Sequence, residues 1–408
     1  MGPNLIGLVG IVVILGIAYA LSTNRRAINL RVVGAAFVLQ SVVAAFVIYS
    51  NRGRALVDSM SVGVMAVIEF SREGIDMVFG PLASEEFLGG ISFAVNVLPV
   101  IVFFSALMSV LYYLRIMQWI VKIFGTVLEK IVGTAPIESM NAIANVFVGQ
   151  TEAPLVVRPY LAGLTRPQFY AIMVSGVSSV AGTVLAAYVA FGAEMRYLLA
   201  ASFMAAPGGL LMAKMLVPDE PGDKTGHHID FRVSRSEHDN IFLAAASGAA
   251  DGMRLAVNIG AMLIAFVALI ALFNGVVGAI AGLFGYDLTL QMILGWVFAP
   301  IMYALSVPWA EAQAAGALFG EKLILNEFVA FIHFEDVLGD ASERTRAVVT
   351  FSLCGFANLS AIAVLLGGLG VLCPERRELI GRYGLRAVAA GSLSNLMSAA
   401  LAGIMLTF

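Results

Sequence analysis

Residues 149–159 read GQTEAPLVVRP, which puts Gln150, Thr151 and Glu152 inside a strongly apolar chain. A carboxylate costs roughly 2.5–3.5 kcal/mol at the centre of a bilayer on insertion scales, so the reading of Glu152 depends on whether the chain around it lies in a membrane. Of the 408 residues, 60% are hydrophobic and only 12% are charged, about half the roughly 25% charged residues of a soluble domain. The runs 2–22, 32–50, 91–114, 168–191, 195–217, 254–283, 345–371 and 385–407 are each long enough to cross ~30 Å of hydrocarbon as a helix. Backbone groups in lipid must be paired internally, and no strand-and-turn alternation suggests a barrel. The first run has no basic leader and no small-residue cleavage site, so it reads as a span.

The same composition excludes several classes. A net charge of −3 with no Lys/Arg block gives no footing for a nucleic-acid partner. Cys354 and Cys373 are two lone thiols, neither a disulfide framework nor a zinc site. No HExxH, GxSxG or Walker loop is present, so the chain does not read as an enzyme. GGLG at 367–370 sits in an apolar run, where close packing is the better reading than phosphate binding. Segments 23–31, 115–166, 214–254 and 372–386 hold 3, 5, 5 and 4 of the 24 Lys and Arg residues. That asymmetry points to both termini facing outward. His227 and His228 fall in the polar stretch 218–240, which reads as a solvated cytoplasmic loop.

The second half repeats the first. Amphipathic stretches at 117–133 and 287–305 each precede a polar-centred segment of about 30 residues, TAPIESMNAIANVFVGQTEAPLVVRPYLAGL and VPWAEAQAAGALFGEKLILNEFVAFIHFEDVL. A span with a small or polar cluster at mid-membrane follows each, SGVSSVAGT at 175–183 and CGFANLSAI at 354–362, and then a small-residue helix. Three crossings separate the two polar segments, so the second unit is inverted relative to the first. Inverted repeats with broken helices are the architecture of secondary transporters. The expected fold is therefore an all-α polytopic membrane protein of about eight transmembrane helices with two re-entrant hairpins, as inverted repeats with discontinuous helices. The expected division is 1–90 (N-terminal spans and an interfacial helix), 91–133 (scaffold helix and arm), 134–217 (first transport repeat), 218–253 (loop and interfacial segment), 254–305 (scaffold helix and arm) and 306–408 (second transport repeat).

Each polar centre carries a capping candidate: Thr151 before Glu152 and Pro154, Asn326 before Glu327, Ser178 or Ser179, and Asn358. Broken helices leave N–H groups free on one side and carbonyls on the other. Taken singly these residues read as plain caps, and the glutamates as first-turn residues favoured by the helix dipole. Four such centres in related places read as a ligand site. Gln150, Thr151, Glu152, Glu327 and Asn358 supply donors and acceptors with no central Lys or Arg, which suits a neutral, polyhydroxylated or amide-bearing solute. Phe356 adds a flat apolar face. Arg158 reads as snorkelling toward the hairpin base.

GQTEAPLVVRPYL (149–161), NEFVAF (326–331) and GFANLS (355–360) resemble the concentrative nucleoside transporter family, and the likeness extends through VPW (307–309) and GLRAVAAGSLSNLM (384–397), over roughly residues 90–408. The resemblance implies a homotrimer in the cytoplasmic membrane whose transport domains move like elevators, each carrying a nucleoside inward with a cation. It places the nucleobase against Gln150, Thr151 and Glu152, with Val184 and Phe356 on its faces, and the ribose on Glu327 and Asn358. It places the cation on the Asn145 side chain, the Val148 carbonyl, Ser179 and the Val180 carbonyl. Such an all-oxygen set without a carboxylate suits sodium. A proton taken up by Glu152 or Glu327 is the alternative coupling ion. One departure is visible: the family often has a serine three residues after the asparagine, where this chain has Ala361 following Ser360.

Overall fold

The computed structural model describes residues 3–84, 92–220 and 239–406, all helix and connecting turn with no strand among them. His227 and His228 lie outside the described residues. The chain opens with α1 (Pro3–Ala20), α2 (Leu30–Tyr49) and α3 (Asn51–Phe79). Asn29 starts α2 by accepting the N–H groups of Arg31 and Val32 at 3.1 and 3.4 Å, the usual N-cap device. α3 buries only a stripe, Gly53, Val57, Ser71 and Ile75, and carries charged residues elsewhere. That pattern suits a helix lying along a surface.

The first repeat runs α4 (Leu98–Tyr113), α5 (Ile116–Val132), α6 (Pro136–Phe147), α7 (Ala153–Val156), α8 (Arg166–Ser178), α9 (Leu185–Ala190) and α10 (Met195–Leu216). The second runs α11 (Ile241–Gly282), α12 (Leu290–Ala304), α13 (Trp309–Ile324), α14 (Glu327–Ile332), α15 (Phe334–Leu338), α16 (Glu343–Leu353), α17 (Ala361–Gly367), α18 (Leu369–Leu372) and α19 (Arg377–Met405). The order long helix, arm, hairpin, broken helix, closing helix holds in both, as the sequence pattern predicts. The arm α12 and the hairpin helix α13 meet at a bend of 118°, so the chain turns back instead of crossing.

Two of the expected spans break at their polar clusters, as the sequence predicts, and a third is redrawn. The run 345–371 is not one helix: α16 stops at Leu353 and α17 starts at Ala361, because Gly355 N–H turns back to Leu353 O at 2.8 Å and Asn358 Oδ1 caps Ala361 N–H at 2.9 Å. The run 168–191 breaks between Ser178 and Leu185. The run 254–283 is the later part of a continuous 42-residue helix that begins at Ile241, with Asn240 capping it through Leu243 N–H at 2.8 Å.

Burial separates the helices into two groups. In the most apolar stretch of α10, 94% of residues are inside the protein, against 22% for α11. The inner helices can carry polar groups because neighbouring helices pair them. Lys214 of α10 donates to Glu138 of α6 at 2.6 Å with both side chains buried, and the other Glu138 oxygen accepts Ala135 N–H at 2.9 Å. Removing one partner of a buried pair costs about 3–5 kcal/mol, so this contact anchors the base of the first hairpin to α10.

Candidate functional site

The four predicted breaks converge. At the first hairpin tip α6 ends at Phe147, Val148 is extended, and the chain turns with Ala153 N–H on Gly149 O at 3.0 Å. Thr151 does not cap the next helix; its hydroxyl donates to Glu152 Oε1 at 2.8 Å, and Glu152 itself stands at the N-cap position without a capping side-chain bond. Proline at position 154 needs no N–H partner, which relieves part of the need for a cap.

Ser178 and Ser179 likewise end a helix and do not start one. Both hydroxyls donate back to Ser175 O, at 3.3 and 3.1 Å, and Ser179 is extended beyond the last turn of α8. Hydroxyls in a helix's final turns commonly bond back in this way.

The two breaks of the second repeat follow the expected capping. Asn326 Oδ1 accepts Val329 N–H at 2.9 Å. Asn358 Oδ1 accepts Ala361 N–H at 2.9 Å and the Ser360 hydroxyl at 2.7 Å. With its oxygen so committed, Asn358 turns its Nδ2 to Glu327 Oε2 at 3.0 Å, and Tyr188 donates to Glu327 Oε1 at 3.3 Å. Asn358 and Glu327 are each only 3% exposed, fixed from two sides before any ligand arrives.

One cavity of about 440 Å³ brings the expected ligand residues together: Gln150, Thr151 and Glu152 from the first hairpin, Val184 and Phe356 from the two breaks, and Glu327 and Asn358 opposite. That volume falls within the range of small-molecule sites. Gln150 Oε1 is buried without a partner, an open acceptor. Gly368, the second residue of GGLG, allows Thr151 to approach; a Cβ there would stand 2.6 Å from Thr151 Cγ2. The close-packing reading of GGLG therefore holds, although the helix is interrupted at Gly368. Ala361 also lines the cavity, beside Ser360. Arg158 is exposed and is not among the lining residues.

The expected cation ligands lie around the first break, and of the four only Val148 lines the cavity. Asn145 Nδ2 donates to Asn141 O at 2.9 Å, while its Oδ1 is buried without a partner. An unpaired buried carbonyl oxygen costs about 1–3 kcal/mol, so its retention beside a helix C-terminus fits a cation ligand. Ser179 O is already taken by Phe356 N–H at 3.1 Å, which leaves the Ser179 hydroxyl as that residue's contribution.

Three polar residues carry the site without having been singled out in the sequence. Tyr188 orients Glu327. Asn395 of α19 donates to Ser178 O at 2.7 Å and Cys354 O at 3.1 Å, tying both breaks together. Gly355 makes room for it: a Cβ there would lie 2.3 Å from Asn395 Oδ1. Lys322 is fully buried, a correction to the expectation that no Lys or Arg is central. It donates to Asn395 Oδ1 at 2.7 Å and Ser352 O at 2.9 Å and does not line the cavity, so the cavity itself still lacks a cationic side chain. A lone lysine in the run 315–325 was the available signal.

Inverted repeats, two bent hairpins and a cavity between broken helices define a multi-pass secondary transporter. The description "Na+ dependent nucleoside transporter" matches as an N-terminal part at residues 9–82 and a C-terminal part at 197–403, and a "Nucleoside recognition" gate matches residues 94–195. The chain belongs to the concentrative nucleoside transporter family. It is 45% identical to the nucleoside permease NupC of Helicobacter pylori, over 98% of this chain and 97% of that protein. It is 34% identical to the mouse sodium/nucleoside cotransporter 1, over 98% of this chain and 64% of that longer protein. CNTnw in an inward-facing substrate-bound state superposes with a TM-score of 0.93 at 49% identity, covering 99% of this chain and 98% of that one. Outward-facing variants of CNTnw superpose at 0.94.

Proposed function

We propose that the protein is a sodium-coupled symporter that imports nucleosides across the cytoplasmic membrane by elevator-type alternating access, working as a homotrimer with both termini outside. The observation that carries the reading is the shared cavity, with Glu327 and Asn358 prepositioned on one side and Gln150, Thr151 and Glu152 on the other. A carboxylate whose two oxygens already accept from Tyr188 and Asn358 keeps lone pairs for vicinal hydroxyls. Gln, Thr and Glu offer the mixed donors and acceptors that the edge of a base requires. Val184 and Phe356 give the base its apolar faces.

Sodium is favoured over a proton by the unpartnered Asn145 Oδ1, because a monovalent cation satisfies such an oxygen and a proton does not. In this reading the cation, held by Asn145, Val148, Ser179 and Val180, joins α6 to the end of α8 and so sets the height of the hairpin tip that carries Gln150. The long, lipid-facing α4 and α11 with the arms α5 and α12 form the stationary scaffold, and the two hairpins with the broken helices form the moving body.

The test is uptake of labelled uridine into proteoliposomes in sodium against choline at fixed pH, with a panel of competing nucleosides, nucleobases and deoxynucleosides. Accumulation should require sodium and be blocked by nucleosides. Equal uptake in choline overturns the sodium assignment, and failure of every nucleoside to compete overturns the substrate assignment.

A further inference from the structure

Lys322 stands in the second repeat where Asn145 stands in the first. Each is the third residue from the end of its hairpin helix, α13 ending at Ile324 and α6 at Phe147. Each reaches the broken helix of its own repeat: Asn145 Nδ2 is 3.4 Å from Ser175 Oγ of α8, and Lys322 Nζ is 2.9 Å from Ser352 O of α16. The resulting chemistry is opposite. The first place ends in an unpartnered oxygen. In the second, Lys322 Nζ donates to two neutral oxygens, Ser352 O and Asn395 Oδ1, with no exposure to solvent.

We propose that Lys322 supplies a resident cation, which does for the second repeat permanently what the transported cation does for the first. The inference rests on the sodium reading for its first half, and its second half stands on the geometry of Lys322 alone. The free carbonyls at a helix C-terminus carry partial negative charge, and a cation that bridges them to the hairpin locks the two together. In the first repeat that lock is made and broken with each ion. In the second it is covalently tethered, so Glu327, five residues on from Lys322, keeps its position relative to Asn358 throughout. Asn395 couples the two places, since the amide that accepts from Lys322 also donates to Ser178 O at the first break. Lys322 is thus a positioning residue for nucleoside binding, and its charge is the property that matters.

The test uses purified full-length protein in saturating sodium, with uridine affinity as the readout. Lys322→Ala should bind uridine roughly 10- to 100-fold more weakly, the range expected for hydrogen bonds to a charged group. Millimolar ethylammonium should restore most of that loss, whereas neutral ethanol should not. Lys322→Gln, nearly isosteric and still a donor, should be weakened by a similar factor without any rescue, since the amide fills the space. It also guards against misfolding of the alanine variant. Wild-type affinity in Lys322→Gln, or equal rescue by ethanol, overturns the proposal, because either result makes the role one of packing. If wild-type uridine binding is the same in sodium and choline, the sodium reading fails instead. The Lys322 comparison, made in one buffer, is unaffected.

Discussion

The two hairpin tips have the same plan and opposite states of completion. At the first, Glu152 faces the cavity, its carboxylate held by the neighbouring Thr151 hydroxyl and the backbone of its own turn, and Gln150 Oε1 and Asn145 Oδ1 have no partner. At the second, both Glu327 oxygens are engaged by Tyr188 and Asn358, and Asn326 caps its helix. A buried carboxylate with two side-chain donors from other helices is preorganised, while one held only within its own turn is freer to adapt. The difference suits a ligand with one invariant part and one variable part, and it matches the assignment of ribose to the second tip and base to the first.

Replacing each glutamate in turn probes this contrast most strongly. In Glu327→Gln the new amide N–H faces the donors of Tyr188 or Asn358, so preorganisation is lost together with the proposed ribose contact. Uridine affinity should fall on the order of 100-fold, equivalent to about 3 kcal/mol. Glu152→Gln disturbs bonds made within its own turn and a cavity-facing group, and the loss should be about tenfold or less. Isothermal titration of both variants checks the order, and equal losses would break the comparison.

A medium effect is expected at the cation place. Asn145→Ala removes the unpartnered oxygen and the bond to Asn141 O. The sodium concentration for half-maximal uptake should rise by about tenfold, with uridine affinity near wild type once sodium saturates. An unchanged sodium requirement would remove Asn145 from the ligand set.

The smallest effect belongs to Ala361→Ser. Ser360 already spends its hydroxyl on Asn358 Oδ1, so it does not stand in for the hydroxyl missing one residue later. A serine at 361 should shift the preference for uridine over its deoxy analogues by about fivefold or less. Competition uptake with both analogues measures it, and an identical preference would place position 361 away from the sugar.

The sequence by itself determined the membrane class, the two hairpins, the inverted order and the polar hairpin and break residues of the cavity, because each shows as a polar interruption in a chain that composition had committed to lipid; the wall supplied by α4 and α11, with Ser105, Tyr112 and Asp251, was not legible. GQTEAP, NEFVAF and GFANLS are visible for the same reason. Boundaries were less legible. The polar cluster GFANLS signals a break, yet hydropathy does not place its ends at Leu353 and Ala361, and the turn chemistry of Gly355 and Asn358 becomes decisive only when a partner helix supplies Asn395. Roles assigned to caps were reversed at Thr151 and Ser179 because a hydroxyl bonds equally well to a neighbouring carboxylate or to the preceding turn, and local sequence does not choose.

Only the tertiary structure decided the partners. Tyr188 meets Glu327 from 139 positions away, and Asn395 meets Ser178 from 217. Lys322 was legible as a charge beside Glu321 in an otherwise apolar run, yet its sequence gives no sign that Nζ ends on Ser352 O and Asn395 instead of facing the ligand. One dimension records which residues are costly to bury. The pairing that makes the burial affordable is a property of three.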